Sequence, residues 1–152
     1  MNISEDELIN AAKLFWKERG FKKVRKRWTK VVDDFTLSFL IQGSVYDKDF
    51  YYVRPGVFFN FLQQRPGHYY GHVYTGIEVN SIEQILQDTE NYFKDWTDKE
   101  LIKRRIMSFI EWDKRNPTEK RRVGRVNFKK DPAPADLFLL SLDELNFILK
   151  EL

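Results

Sequence analysis

Cysteine is absent from the 152 residues, which excludes disulfides, thiolate nucleophiles, iron–sulfur clusters and cysteine-ligated zinc. A secreted disulfide scaffold goes with them. Glycine is scarce, 7 in all, and neither a phosphate-cradling glycine-rich loop nor a Gly-x-Ser-x-Gly elbow can be read. Long apolar runs are missing too. The most apolar stretch, Ala135 to Leu142, is interrupted by Asp136 and falls far short of the ~20 residues a bilayer-spanning helix needs. Met1 to Glu7 is acidic, with no basic run leading into an apolar core, and no lipidation signal stands at either end. The expectation is a cytoplasmic protein with no membrane partner.

The length of 152 residues fits one domain spanning residues 1–152, since domains average roughly 100–150 residues. The net charge of +3 is small but unevenly spread. Phe21 to Val32 holds Lys22, Lys23, Arg25, Lys26, Arg27 and Lys30 and no acid. Ile102 to Lys130 is again basic, whereas Glu78 to Glu100 is mostly acidic. Such a bipolar chain bears on partners more than on fold.

Helix starts are legible as capping boxes at Ser4 with Glu7, Ser81 with Gln84, Thr97 with Glu100 and Ser141 with Glu144. In each a hydroxyl and a carboxylate or amide three residues on satisfy orphan backbone N–H groups. Gly20 is placed to end the first helix and Asn116-Pro117 to end the third. Between the first two helices the apolar period shifts from 3.6 to 2. Val24 to Val31, Phe35 to Ile41, Phe50 to Phe59 and Val73 to Val79 read as strands, with Val123 to Lys129 a candidate fifth. Short reversals at Asp33-Asp34 and Asp47-Lys48-Asp49 predict an antiparallel meander. Pro55-Gly56 should break or bulge its strand and place it near an edge. Asp131-Pro132-Ala133-Pro134 is a stiff connector. The predicted fold is α+β: an antiparallel sheet of four or five strands packed by four helices.

His68 and His72 are the only conceivable metal or acid–base pair. On one strand they would stand ~13 Å apart, too far for one metal ion, although a folded-back turn could join them. Loop and strand histidines beside a hairpin turn are the preferred reading, with no catalytic residue, metal or cofactor assigned. Lys22, Lys23, Arg25, Lys26, Arg27, Trp28 and Lys30 form the candidate nucleic-acid-binding segment, because several cations could meet one phosphate backbone while an aromatic stacks on a base. Read as one strand, Lys22, Val24, Lys26, Trp28 and Lys30 share a face. A solvated edge strand with Trp28 anchored in the core explains the same pattern and is preferred. Aromatic residues crowd Phe50 to Tyr74. Adjacent pairs on a strand point to opposite faces, so one of each pair should look away from the helices. Tyr51, Tyr52, Tyr69, Tyr70 and Tyr74 are the candidate protein-binding residues, tyrosine being a favoured interface anchor.

Gly20-Phe21-Lys22-Lys23 closing the first helix, the basic strand ending in Trp28, then Phe39-Leu40-Ile41-Gln42 and Phe50-Tyr51-Tyr52-Val53 with Gly56-Val57 resemble an uncharacterised bacterial group. It is the domain-of-unknown-function family 4304, and the resemblance covers about Leu8 to Leu62. It implies a small cytosolic α+β protein and carries over no catalytic residue. Where that group often has Asn before its Gly, this chain has Arg54-Pro55. Small families of this kind resemble, by analogy, immunity proteins that inhibit toxins. The expected function is therefore a non-enzymatic binding protein, immunity-type or regulatory, whose partner is another protein. The alternative is nucleic-acid binding through residues 22–30, and a hydrolase or metal enzyme at His68 and His72 comes last.

Overall fold

The structure is a computed structural model and describes residues 3–47, 49–115, 137 and 139–152. The candidate strand Val123 to Lys129, the Asn116-Pro117 stop, the Lys120-Arg121-Arg122 cluster and the Asp131 to Pro134 connector lie outside the described residues.

Helix α1 spans Glu5–Glu18. Its first turn carries Glu5, Asp6 and Glu7 against the positive end of the helix dipole, and the Ser4 hydroxyl accepts the Glu7 N–H at 3.1 Å. Its end follows from Gly20, whose φ of +83° suits a residue without Cβ. The Gly20 N–H donates to Lys17 O and the Phe21 N–H to Trp16 O, a Schellman closure that turns the chain straight into the sheet.

Five strands follow as a meander, β1 (Lys22–Val24), β2 (Arg27–Val32), β3 (Phe35–Gly43), β4 (Tyr51–Phe59) and β5 (Val73–Tyr74), paired antiparallel in that order. The basic segment is not one strand, as its alternation suggested, but a hairpin. The chain reverses at Arg25-Lys26, where Arg25 takes φ 58°, and Lys23 pairs with Trp28. The next reversal, at Asp33-Asp34, sets Asp33 at φ 52°, a conformation a short polar side chain tolerates.

Pro55-Gly56 does not break β4 or place it at an edge. Pro55 sits opposite Phe39 on β3, and its carbonyl accepts Thr75 N–H on the far side. A strand residue's N–H and C=O point the same way, so the donor that proline lacks faces the short β5 and the β3–β4 ladder loses nothing. Val73 to Val79 is likewise a strand only at its start, continuing as a single bridge of Ile77 with Val53.

The register sorts side chains onto two faces. Trp28, Phe39 and Pro55 lie in one row, and Arg27, Leu40 and Arg54 in the next. The first face carries Phe35, Leu37, Phe39, Ile41, Val53, Val57 and Phe59, all buried. Against it pack α1 and α2 (Ile82–Asp95), while α3 (Lys99–Arg115) and α4 (Leu142–Glu151) pack on each other and join the same core. Leu8, Trp16, Ile85, Phe93, Ile106, Phe109, Leu145 and Ile148 join the same cluster, each large apolar side chain contributing about 1.5–3 kcal/mol by leaving water. The fold among the described residues is thus α+β, with four helices and a five-stranded antiparallel sheet. No helix among them is long and apolar enough to cross a membrane.

Three of the helix starts carry the serine cap as read, but only one is a full capping box, since the Gln84 amide donates to Asp88 and Ser81 N–H to Asn80 Oδ1. Ser81 accepts Gln84 N–H, and Ser141 with Glu144 makes both halves of its box. At α3 the cap is Asp98, which accepts Leu101 N–H at 3.1 Å. The Thr97 hydroxyl is already committed to Phe93 O at the end of α2.

Candidate functional site

The sheet face turned away from the helices is covered in part by residues 69–71. Gly56 makes this cover possible: a Cβ there would lie 1.9 Å from Tyr70 O. Tyr70 is held by its hydroxyl, which donates to Gln42 Oε1 at 2.8 Å. Arg27 reaches from β2, donating to Ser38 Oγ at 3.0 Å and to Tyr69 O at 2.9 Å.

These contacts leave a continuous ladder of aromatic rings and guanidinium groups on that face. Phe50 meets Tyr52 edge-on at 5.2 Å. The Arg54 guanidinium lies 4.9 Å from the Tyr52 centroid, 5.1 Å from Tyr70 and 6.0 Å from Tyr74. Tyr70 meets Tyr69 at 5.3 Å, and Arg27 sits 4.7 Å over the Tyr69 ring. Cation–π contacts of this kind contribute about 0.5–1 kcal/mol at exposed sites and more when desolvated. The Arg54 Nε is buried and has no hydrogen-bond partner among the described residues, so three tyrosine faces stand where an acceptor would. Tyr52 and Tyr69 remain 39% and 64% exposed, and Phe50 53%. The β3–β4 connection adds the exposed Val45 and Tyr46. Beside this end of the ladder opens a cleft of about 1020 Å³ whose lining includes Arg54 and Tyr52 with Asp47, Asp49 and Glu78.

Of the tyrosines singled out from the sequence, Tyr52, Tyr69, Tyr70 and Tyr74 gather on this face. Tyr51 does not. Its place in β4 turns it to the helix side, where it is buried and its hydroxyl donates to Ile3 O at 2.7 Å. Burial, then the charges of Glu5 and Glu7, push its phenol pKa up. Arg54 entered the sequence reading only as the Arg54-Pro55 departure from the family pattern. Its spacing of two from Tyr52 on a strand was the signal that both share a face.

The basic segment is dispersed. Trp28 is 1% exposed, packed on Phe39 at 5.8 Å, and so presents no ring for a base to stack on. Lys30 donates to Arg19 O at the end of α1, Lys26 pairs with Glu5 at its start, and Arg27 is tied down on the opposite face. Lys22 pairs with Thr29 across β1 and β2, on Arg27's face, whereas Lys23 falls in Trp28's row. Arg25 occupies the turn between them.

His68 and His72 do converge, their ring centroids 4.9 Å apart, because residues 60–72 fold back on the sheet. Both are buried. His72 Nδ1 accepts Phe59 N–H at 2.9 Å and its Nε2 faces Gln63 O at 3.3 Å. His68 Nδ1 accepts Arg65 N–H and its Nε2 faces Leu139 O at 3.2 Å. Both nitrogens of each ring are thus engaged by backbone, and His72 is the neutral tautomer protonated at Nε2. Burial lowers the His72 pKa to about 4. No group of three or more His, Asp or Glu placed to hold a metal occurs among the described residues.

No protein-family model, curated protein or solved structure matches this chain.

Proposed function

We propose that the protein is a non-enzymatic binding protein of immunity or regulatory type, whose partner is another protein held on the helix-free face of the sheet. The observation that carries this reading is the ladder Phe50–Tyr52–Arg54–Tyr70–Tyr69–Arg27. Tyrosine and arginine are the residue types that dominate interface energetics, because each offers a large contact area with few torsions to freeze. These rings are already ordered by mutual contacts and by the Gly56 crossing, so little conformational entropy is lost on association. Asp47, Asp49 and Glu78 in the adjoining cleft have no ion-pair partner among the described residues, which suits a partner bringing a lysine or arginine beside its apolar contacts. The two histidines support a binding role over catalysis, since their nitrogens hold backbone in place.

Affinity capture from the native host tests this, using wild type and a Tyr52→Asp/Tyr69→Asp variant. Far-ultraviolet circular dichroism establishes that the variant keeps its fold. One stoichiometric protein partner is expected with wild type, lost with the variant and retained by Met107→Asp on α3. A partner retained by the ladder variant, or recovery of nucleic acid in a salt-sensitive manner instead, overturns the reading.

A further inference from the structure

A second surface lies on the other side of the molecule, where α1 runs beside the β1–β2 hairpin. An open groove of about 570 Å³ has Phe21, Trp28 and Leu14 as its apolar lining, with Lys13, Lys17 and Lys23 around it. No acid is among its described lining residues. The placement follows from helix periodicity. Lys13, Leu14 and Lys17 share one stripe of α1 at spacings of three and four, displaced from the buried stripe of Leu8, Ala12 and Trp16. Lys23 comes from the opposite bank, its Nζ 5.5 Å over the Trp28 ring.

Two features set this groove apart from an ordinary solvated helix face. Leu14 is 64% exposed between two lysines, leaving apolar area in water where the helix could carry a polar residue at no cost. Moreover, Lys26 and Lys30 of the same hairpin are taken by Glu5 and by Arg19 O, while Lys13, Lys17 and Lys23 have no anionic partner among the described residues. The buried indole Nε1–H of Trp28, at the floor, also lacks an acceptor among the described residues.

We propose that this groove binds an acidic peptide segment of a partner protein, one that lays a leucine- or phenylalanine-type side chain on Leu14 and Phe21, above the buried Trp28, while flanking carboxylates meet Lys13, Lys17 and Lys23. The three cations lie on both banks and one helical turn apart, about 5–6 Å along α1, so several carboxylates on one chain match them better than a single anion does. Such charge complementarity sets register and association rate, while burial of the apolar side chain supplies affinity. This surface is independent of the tyrosine ladder, and either can fail alone.

The test is a titration of the nitrogen-15-labelled protein with the capped peptide Asp-Glu-Leu-Phe-Glu-Asp, followed by two-dimensional nuclear magnetic resonance. The expected result is a saturable shift of the Trp28 indole N–H and of the Leu14 amide, weakened by added salt. Reversing two facing charges in Lys13→Glu/Lys17→Glu should weaken binding by about tenfold. Leu14→Ala should weaken it with the charges intact, and Tyr52→Asp should leave it unchanged. Lys13, Leu14 and Lys17 are exposed, so these variants keep the fold. The proposal is overturned by absence of a shift at Trp28, by equal binding of a peptide in which lysines replace the acids, by undiminished binding to the Lys13→Glu/Lys17→Glu variant, or by hexanoate displacing the peptide at equal affinity.

Discussion

The imidazole of His72 stacks nearly parallel to the Phe59 ring, at 8° and 5.9 Å, while its Nδ1 accepts the backbone N–H of that same Phe59. One residue thus packs against the side chain of β4's last position and closes its backbone, fixing where residues 60–72 leave the sheet. A proton added at Nδ1 would face a donor rather than an acceptor, in a site that burial already makes hostile to charge. Burial lowers the pKa to about 4 from the ordinary 6.5. The unfolded chain therefore binds a proton that the folded one refuses between these values. The associated stability is complete above pH 6.5 and declines as pH falls toward 4, at most about 1.4 kcal/mol per pH unit for one proton. Urea midpoints across this range should fall in wild type and be flatter in His72→Gln. Parallel curves for the two proteins would refute the assignment.

Glu144 adds a second, lower window. Its carboxylate receives the Arg65 guanidinium, Nη2 to Oε1 at 2.8 Å, and accepts Ser141 N–H at 2.8 Å in the capping box of α4. Arg65 also donates to Leu139 O. Burial alone would raise the Glu144 pKa, but the hydrogen bonds from Arg65 and Ser141 outweigh it and the pKa falls below 4.5. A carboxylate so depressed stabilises the fold above its ordinary pKa and loses that contribution as pH drops below it. Glu144→Ala removes the cap and the ion pair together and should cost about 1–2 kcal/mol. Glu144→Gln keeps an amide for the cap and should cost less. Denaturant melts of both variants, with an Arg65→Met cycle, separate the two contributions. Equal losses from Ala and Gln would mean that the ion pair alone matters.

Gly56 is the position where the sheet admits no side chain. A Cβ at 1.9 Å from Tyr70 O and 2.9 Å from Tyr70 C meets backbone, which cannot rotate aside. Gly56→Ala should push residues 69–71 off the sheet, cost about 1–3 kcal/mol or more, and release Tyr70 from Gln42 and Arg54. Thermal melts report the cost, and the Gln42 side-chain amide resonances report the release. An alanine variant as stable as wild type, with those resonances unmoved, would place the crossing elsewhere.

Much of this architecture was legible because local chemistry dictated it. Ser4, Ser81 and Ser141 cap helices, Gly20 closes α1, and the alternation of Phe35 to Ile41 survives in a strand with one face in the core. What escaped depended on partners distant in sequence. The reversal at Arg25-Lys26 has no glycine or asparagine to announce it, so the alternation ran through it unbroken and misassigned the faces of Lys22 to Val24 relative to Arg27 to Lys30. The meeting of His68 with His72 needed a fold-back that extended spacing cannot express. Arg54 escaped notice beside Pro55-Gly56, and only the folded chain brings Tyr52, Tyr70 and Tyr74 around it.

Tyr51 and Tyr52 put that register to a two-sided test. They are neighbours in sequence with opposite surroundings. Tyr51 is buried with its hydroxyl on Ile3 O, and Tyr52 is 39% exposed beside Arg54 and Phe50. Tyr51→Phe removes one buried hydrogen bond and leaves the Ile3 carbonyl without its donor, so it should cost about 1 kcal/mol or somewhat more. It should leave partner capture untouched. Tyr52→Ala forfeits a cation–π contact and an edge contact at the surface and should cost no more than about 1 kcal/mol, yet weaken partner capture severely. Stability from urea melts and binding from the capture assay would then move in opposite order for two adjacent residues. If both measurements followed Tyr51 instead, the interface would lie on the helix side, and the face that carries the tyrosine–arginine ladder would be a structural cover for the sheet.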